Sequence, residues 1–375
     1  MSKVLLGEVS HERKETCKGS KEGYPIVGLE HLIPEEITLT TWDEGAENTF
    51  TKMFRKGDVL FGRRRAYLKK AAVAPFDGIC SGDITVIEAD PDKILPELLP
   101  FIIQNDDLFD FAVGKSAGSL SPRVKWEHLK NYELELPDMD KQKELAELLW
   151  AIDDTKKSYQ KLIAATDELV KSQFMEQFKE LINSPEACSK IEDECTVFAD
   201  GDWIESKDQS DEGIRLIQTG NIGNAQYLDK GERARYITED TFNRLNCTEV
   251  KANDILISRL PDPVGRACII PEGLGKCITA VDCTIVRLRS RILPEYFIAY
   301  TLSPFYMMQV AARETGSTRK RISRKNLGIL KIPVPQIAEQ ESFASIVRQS
   351  DKSKFAARMC SNLNLSRCLD IKMMI

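Results

Sequence analysis

The sequence predicts an α+β fold in which one mixed unit is written twice, with a long helix after each copy. Three observations carry that expectation. The first is recurrence at a nearly constant offset. KGDVLFGR (56–63) recurs as ANDILISR (252–259), aligning Asp58 with Asp254 and Arg63 with Arg259, and ILPE (94–97) recurs as ILPE (292–295). GSLSPRVKWEHLKNYELELP (118–137) matches GSTRKRISRKNLGILKIPVP (316–335). A period of about 198 residues is far longer than that of a solenoid repeat and marks a duplicated domain. The second is the stretch from Asp138 to Leu181, which contains no Gly and no Pro. In it Leu145, Leu149, Ile152, Tyr159, Ile163, Thr166 and Val170 fall at steps of three and four, interrupted only by Lys156. The third is the alternation of short apolar strands with one apolar helix inside each copy.

Taken in order, GYPIVGLEHL (23–32) pairs with GIRLIQTGNI (213–222) near the start of each unit. VLFG (59–62) and DITVIEA (83–89) read as strands. LPELLPFIIQNDDLFDFAV (95–113) has helical spacing, with Pro100 breaking its first turn. YELELP (132–137) alternates and ends at a proline, as an edge strand does. The second copy repeats the scheme with DILIS (254–258), CTIVRL (283–288), a helix over 294–312 and LKIPVP (330–335). DKQKELAELL then aligns with AEQESFASIV and sets Gln142 against Gln340. The expected divisions are a globular domain at 1–137, a spacer helix at 138–184, a second domain at 185–335, and a distal helix with its tail at 336–375. The central helix would be about 60 Å long at 1.5 Å per residue. Leu148, Leu162 and Leu169 widen its apolar stripe, so it expects a partner. An antiparallel pairing of the two helices keeps every connection short and relates the two units by a pseudo-twofold axis. The tail RMCSNLNLSRCLDIKMMI (358–375) does not repeat the second half of the central helix.

A chain of 375 residues, 42% apolar and 29% charged, has the composition of a soluble protein of two or three domains. No apolar run reaches membrane-spanning length. MSKVLLGEVSHERKE lacks an export-signal core, and ten cysteines at irregular spacings read as cytoplasmic free thiols, Cys277 and Cys283 among them as small buried residues. The net charge of −6 conceals segregation. Residues 52–70 hold eight Lys or Arg against Asp58 alone, and 313–331 hold seven against Glu314 alone. Two basic runs in comparable parts of a repeat point to a polyanion surface.

The duplicated block, the GS loop followed by a basic residue, the strand ending in Pro and the Gln-bearing helix start resemble the specificity subunit of Type I restriction–modification enzymes over nearly the whole chain. That resemblance implies two target-recognition domains, each reading one half of a split double-stranded DNA sequence, separated by two long antiparallel coiled-coil helices that fix the gap. It implies docking of methyltransferase subunits and, through them, restriction subunits. No cofactor is expected on this chain; S-adenosylmethionine, ATP and Mg²⁺ are expected on the partners.

Backbone phosphates would supply affinity and base edges sequence information, chiefly through Arg on guanine and Asn or Gln on adenine. The candidates in the first unit are Arg63, Arg64, Arg65, Lys69, Lys70, Lys115, Arg123 and Lys125. In the second they are Gln218, Asn221, Arg259, Arg266, Arg313, Arg319, Lys320, Arg321, Arg324 and Lys325. Each also reads as solvated surface or a turn residue, and the equivalent pairs Arg63/Arg259 and Arg123/Arg321 also read as structural braces.

Catalytic patterns are poor. No Gly-rich loop or Asn/Asp-Pro-Pro-aromatic motif of an amino methyltransferase occurs, and Asp262-Pro263-Val264 is a turn. Pro137, Asp138, Asp154 and Lys156 match the letters of a nuclease motif, but Asp154 and Lys156 point apart on a helix. The three histidines are scattered and no C-x₂-C pair suggests a metal site. Two alternatives remain open: a stand-alone nucleic-acid-modifying enzyme, or a coiled-coil protein-binding scaffold.

Overall fold

The computed structural model describes residues 2–45 and 48–361. The chain forms two compact units, the first built on Met1–Gln160 and the second on Lys161–Ala357.

In the first unit a four-stranded antiparallel sheet runs in the order Ser10–Glu12, Ile84–Ala89, Val59–Gly62, Ala71–Val73. Val59 and Phe61 face one core with Ile87, Phe101 and Phe109, while Leu60, Val86 and Ile84 face another with Val27, Phe54 and Cys80. This alternation is why VLFG is buried at every position: both sheet faces are covered. A second, three-stranded sheet orders Ile26–Val27, Gly78–Cys80 and Lys52–Phe54, its first pair parallel. Glu133–Leu136 pairs antiparallel with Ser2–Leu5, so the unit closes on its own N-terminus.

The second unit repeats the four-stranded sheet as Cys195–Asp200, Cys283–Leu288, Ile255–Ser258, Ala267–Ile269. Its closing pair is Cys188–Lys190 with Lys331–Pro333. The three-stranded sheet is Arg235–Ile237, Ile214–Ile217, Cys277–Thr279. The parallel pair is kept, but the third strand lies against the opposite member of it.

The expected helix over 95–113 is two helices, Leu99–Ile103 and Asp106–Gly114. Pro100 is tolerated at the helix start. The break falls at Gln104, whose side-chain NH₂ donates to the carbonyls of Glu36 and Ala71, and at Asn105, which caps the next helix through the Asp107 N–H. The helix expected at 294–312 divides likewise into Pro294–Leu302 and Pro304–Ala311, with Ser303 capping Tyr306.

The central helix spans Met139–Gln177, followed by a short helix Lys179–Asn183. Ala146 and Leu149 enter the first unit's core, and Trp150 donates its indole N–H to the Glu97 carbonyl at 3.0 Å. Val170, Phe174 and Phe178 enter the second unit's core. Leu148, Leu162 and Leu169 stay exposed. The distal helix is Ile337–Ser361. Within the second unit, Phe343 packs on Phe174 and Phe178 at ring distances of 5.6 and 5.5 Å, and Lys354 pairs with Asp167 at 2.9 Å. As one helix number rises the other falls, so these segments run antiparallel. The irregular end expected beyond residue 361 lies outside the described residues.

Each long helix is fastened by the same clamp. The Gln142 side-chain oxygen accepts the Leu95 N–H at 2.8 Å and its NH₂ donates to the Pro137 carbonyl at 2.9 Å. Gln340 repeats this with Leu293 and Pro335 and adds the Arg291 carbonyl at 2.8 Å. Both glutamines are buried. The duplicated ILPE motif therefore offers a backbone N–H to the duplicated glutamine.

Candidate nucleic-acid interface

Two basic segments some 60 residues apart in sequence are laced together in the first unit. The Val124 N–H donates to the Arg63 carbonyl at 3.0 Å, the Arg65 N–H to the Pro122 carbonyl at 2.8 Å, and Arg64 bridges Arg123. The second unit makes the matching link from the Ile322 N–H to the Arg259 carbonyl at 3.1 Å, beneath the loop closed by Thr315 and Arg321. Arg63–Arg65 thus share a surface with Arg123 and Lys125, and Arg259 with Arg321 and Arg324.

Within these surfaces the side chains divide by what they touch. Asp83 collects Arg123 through two bonds of 2.6 and 3.2 Å, and Arg64 at 3.5 Å. The Arg123 guanidinium holds the Asp83 carboxyl below the usual range against a smaller opposing effect of burial. Arg64 also donates to Ser121 at 3.0 Å. In the second unit Asp200 collects Arg259 at 3.4 Å and Arg324 at 3.3 Å, and Arg324 further donates to the Phe198 carbonyl. Arg259 also reaches the Val281 carbonyl. Arg63 and Arg259 each keep a buried Nε with no protein partner, as does Arg64. Lys69 pairs with Asp106, Lys320 with Glu314, and Arg313 donates to the Gln309 carbonyl.

Lys70, Arg266 and Asn221 are bonded within the fold. Lys70 donates to the Leu29 carbonyl at 2.7 Å. Arg266 spends its guanidinium on four carbonyls, those of Ile222, Thr219, Leu260 and Pro263. Burial lowers the pKa of Arg266, outweighing the opposing charge of Asp262. The two residues are equivalent, since Gly62 and Ser258 donate to the carbonyls of Lys70 and Arg266 respectively, and both brace the turn after the parallel strand. Asn221 is buried; its oxygen accepts the Gln218 N–H at 3.0 Å and its NH₂ donates to the Leu228 carbonyl at 2.9 Å. His31 does the same in the first unit, its Nδ1 accepting the Gly28 N–H at 2.9 Å. These polar groups are engaged by the fold itself.

Arg65, Lys125, Arg319, Arg321 and Lys325 are exposed and have no carboxylate partner among the described residues. Lys115, also exposed, lies only over the Phe111 ring. Gln218 is exposed and lines an open polar cleft of about 430 Å³ with Gln209, Ser210 and Arg235. Gln209 and Arg235 were not marked by the sequence pattern. Nor were Tyr67, Leu68 and Leu120, which stand exposed among the first unit's cations; an aromatic inside the run RRRAYLKK is the signal that points to them.

Eight cysteines among the described residues are free thiols, and all but Cys17 are buried, Cys277 and Cys283 included. Burial pushes Cys80, Cys195 and Cys268 up to about 12, which suits packing rather than nucleophilic work. No helix among the described residues is long and apolar enough to cross a membrane.

The doubled fold with a basic surface on each copy defines a class of recognition protein, and comparison with known proteins gives the family. The sequence model of the Type I restriction modification DNA specificity domain matches residues 6–165 and again 187–358. The chain belongs to this family and carries its domain twice. It is similar to two specificity subunits of type I restriction enzymes from Methanocaldococcus jannaschii, the provisionally assigned MjaX (22% identical, 90% of this chain and 83% of the relative) and MjaVIII (20%, 87% and 75%). Among solved structures, a chain from a study of complex assembly and conformational transition of the type I R-M system superposes with a TM-score of 0.57 at 20% identity, covering 98% of this chain and 95% of that one. The type I S subunit from M. genitalium gives 0.52 at 12%, covering 97% and 95%. These two show the shared fold.

Proposed function

We propose that this chain is the DNA-reading subunit of a Type I restriction–modification complex, in which each globular unit reads one half of a bipartite double-stranded target. The long helices set the distance between the half-sites and dock methyltransferase subunits, which in turn recruit restriction subunits. S-adenosylmethionine, ATP and Mg²⁺ reside on those partners, and this chain performs no chemistry of its own. The complex works in the cytoplasm.

One observation carries the reading. The family's DNA specificity domain occurs twice, and each copy exposes cations with no carboxylate partner among the described residues in or near its basic segments: Arg65, Lys115 and Lys125 in one, Arg319, Arg321 and Lys325 in the other. Side chains held by carboxylates orient the surface; those without are available to phosphates and base edges.

Neutralising Arg319, Arg321 and Lys325 together tests it. Each lost phosphate contact removes roughly 0.9 from the slope of log affinity against log salt, so the triple variant should lose up to about 2.7. An unchanged slope would take this loop out of the interface. Replacing residues 1–137 by those of another family member should change one half of the methylated motif and leave the other intact.

A further inference from the structure

We propose that Tyr67 and Leu68, with Leu120 beside them, form an apolar wedge with which the first unit alone opens a base step in its half of the DNA target. This rests on the DNA-reading function proposed above and adds a mode of contact to it.

The turn between the strands Val59–Gly62 and Ala71–Val73 is as long as its counterpart between Ile255–Ser258 and Ala267–Ile269. The backbone bonds that join Gly62 to Lys70 and Ser258 to Arg266 fix the correspondence residue by residue. The second unit buries the two branched aliphatic residues of its turn, Leu260 at 7% exposure and Val264 at 3%. The first unit does the reverse. Leu68, in the place of Val264, is 42% exposed and Tyr67 is 54% exposed. On the neighbouring loop Leu120 is 89% exposed, where the second unit has Thr318. Three large apolar side chains are thus turned outward in one unit, where the second unit has the buried Val264, the polar Thr318 and, opposite Tyr67, the small half-buried ring of Pro263.

The tip is held rigidly. Ala66 is buried beneath it, the Arg65 N–H is tied to Pro122, and the Leu68 and Lys69 N–H groups close the turn on the carbonyls of Arg65 and Ala66. Arg65 and Lys69 flank it in the left-handed region at φ +54° and +50°, and Lys69 stands where the second unit has Gly265 at φ +84°. A side chain in that conformation costs free energy that glycine avoids. The first unit therefore retains both a strained backbone and exposed apolar area, and neither is repaid within the chain.

The surroundings decide what covers the tip. Arg65 and Lys125 lie in the laced segments and Lys115 shortly before the bridge of Ala117 to Arg123, all without a carboxylate partner among the described residues, which disfavours an ordinary protein face and fits a polyanion. Cations on phosphates with an apolar residue at the bases is the contact by which proteins unstack and kink a duplex. An ordered tip loses little entropy on entry, and a pyrimidine–purine step yields most easily. The second unit exposes prolines but no aromatic or leucine side chain at the equivalent place, so the distortion is confined to the first half-site.

The test uses the full chain with its methyltransferase subunits, without S-adenosylmethionine, bound to a duplex of its mapped target carrying 2-aminopurine at one position at a time. We expect a several-fold fluorescence rise at one step of the first half-site that disappears in Tyr67→Ala, returns in Tyr67→Phe, and has no Thr318-dependent equivalent in the second half. Tyr67→Ala should also weaken binding roughly tenfold, the range of a lost base–aromatic stack. Identical fluorescence at every position in the wild-type and Tyr67→Ala complexes would overturn the wedge, as would a Tyr67→Ala chain that binds DNA normally but no longer captures its partner subunits. A wild-type complex that binds its target no better than scrambled duplex would instead remove the underlying DNA-reading function, and this shows before any substitution is made.

Discussion

The two units solve one electrostatic problem with different residues. Asp58 and Asp254 occupy the same place before the central strand, both are buried, and both accept a backbone N–H three residues upstream, from Arg55 and Lys251. In the second unit Arg287 on the adjacent strand neutralises Asp254 through two bonds of 2.7 Å. Val59 faces Ile87 just as Ile255 faces Val286, so the position of Arg287 is held in the first unit by Glu88. There the guanidinium comes from one strand further out, after Ser10–Glu12: Arg13 reaches Asp58 at 2.6 and 3.1 Å and is itself tied to Glu88 at 2.7 Å. The carboxylate is fixed by the backbone it caps, whereas its counter-charge can come from the adjacent strand or from the chain next to the strand beyond it.

That contrast can be broken most strongly by removing the counter-charge. Stripping one partner from a buried pair leaves an uncompensated charge and costs several kcal/mol. Arg287→Ala should destabilise the second unit by roughly 3 kcal/mol, with hydrogen exchange accelerated in Ile255–Ser258 and unaltered in Val59–Gly62. Arg13→Ala should do the converse. In that background Glu88→Arg should recover part of the loss, by copying the second unit's solution into the first. Failure of Glu88→Arg to recover any stability would mean that the two strand positions are not interchangeable.

The clamp at the helix starts offers a finer comparison. Gln142 makes two side-chain bonds and Gln340 makes three, the extra one to the Arg291 carbonyl. A net hydrogen bond is worth about 1 kcal/mol. Gln340→Ala should therefore cost about 1 kcal/mol more than Gln142→Ala in denaturant unfolding. Equal losses would show that the third bond is offset by its own desolvation.

The repeat made most of the fold legible. VLFG, CTIVRL and DILIS form strands where their apolar clustering places them, because these segments are buried on both faces whatever surrounds them. The pairing of Ser2–Leu5 with Glu133–Leu136 was not legible, since it joins segments 130 residues apart that carry no signal of each other. Neither was the third strand of the small sheet, Lys52–Phe54 in one unit and Arg235–Ile237 in the other, which pairs on opposite edges. It lies where the two copies no longer resemble each other. Basic runs in comparable parts of the repeat were legible as candidates, but charge alone does not say which cations already have partners in the fold. Lys70 and Arg266 look like ligands for phosphate in a sequence and are internal struts in the structure, because the turn carbonyls they satisfy leave no trace in the local sequence.

The smallest effect concerns Arg123 and Arg321, which the repeat aligns and the structure separates. Arg123 grips Asp83, whereas Arg321 is exposed with no carboxylate partner among the described residues. Arg123 depresses the Asp83 pKa in the folded state. A depressed carboxylate stabilises the fold above its unfolded value, near 3.9, and that contribution is lost as pH falls through the folded value. Arg123→Gln should therefore raise the Asp83 titration midpoint, followed by carboxyl NMR, and flatten the acid limb of the first unit's stability. Arg321→Gln should move no carboxyl midpoint, yet it should weaken DNA binding in a salt-dependent way, because a cation without an internal acid is free to meet a phosphate. If the two substitutions behaved alike in both measurements, the distinction between spent and available cations on these surfaces would fail.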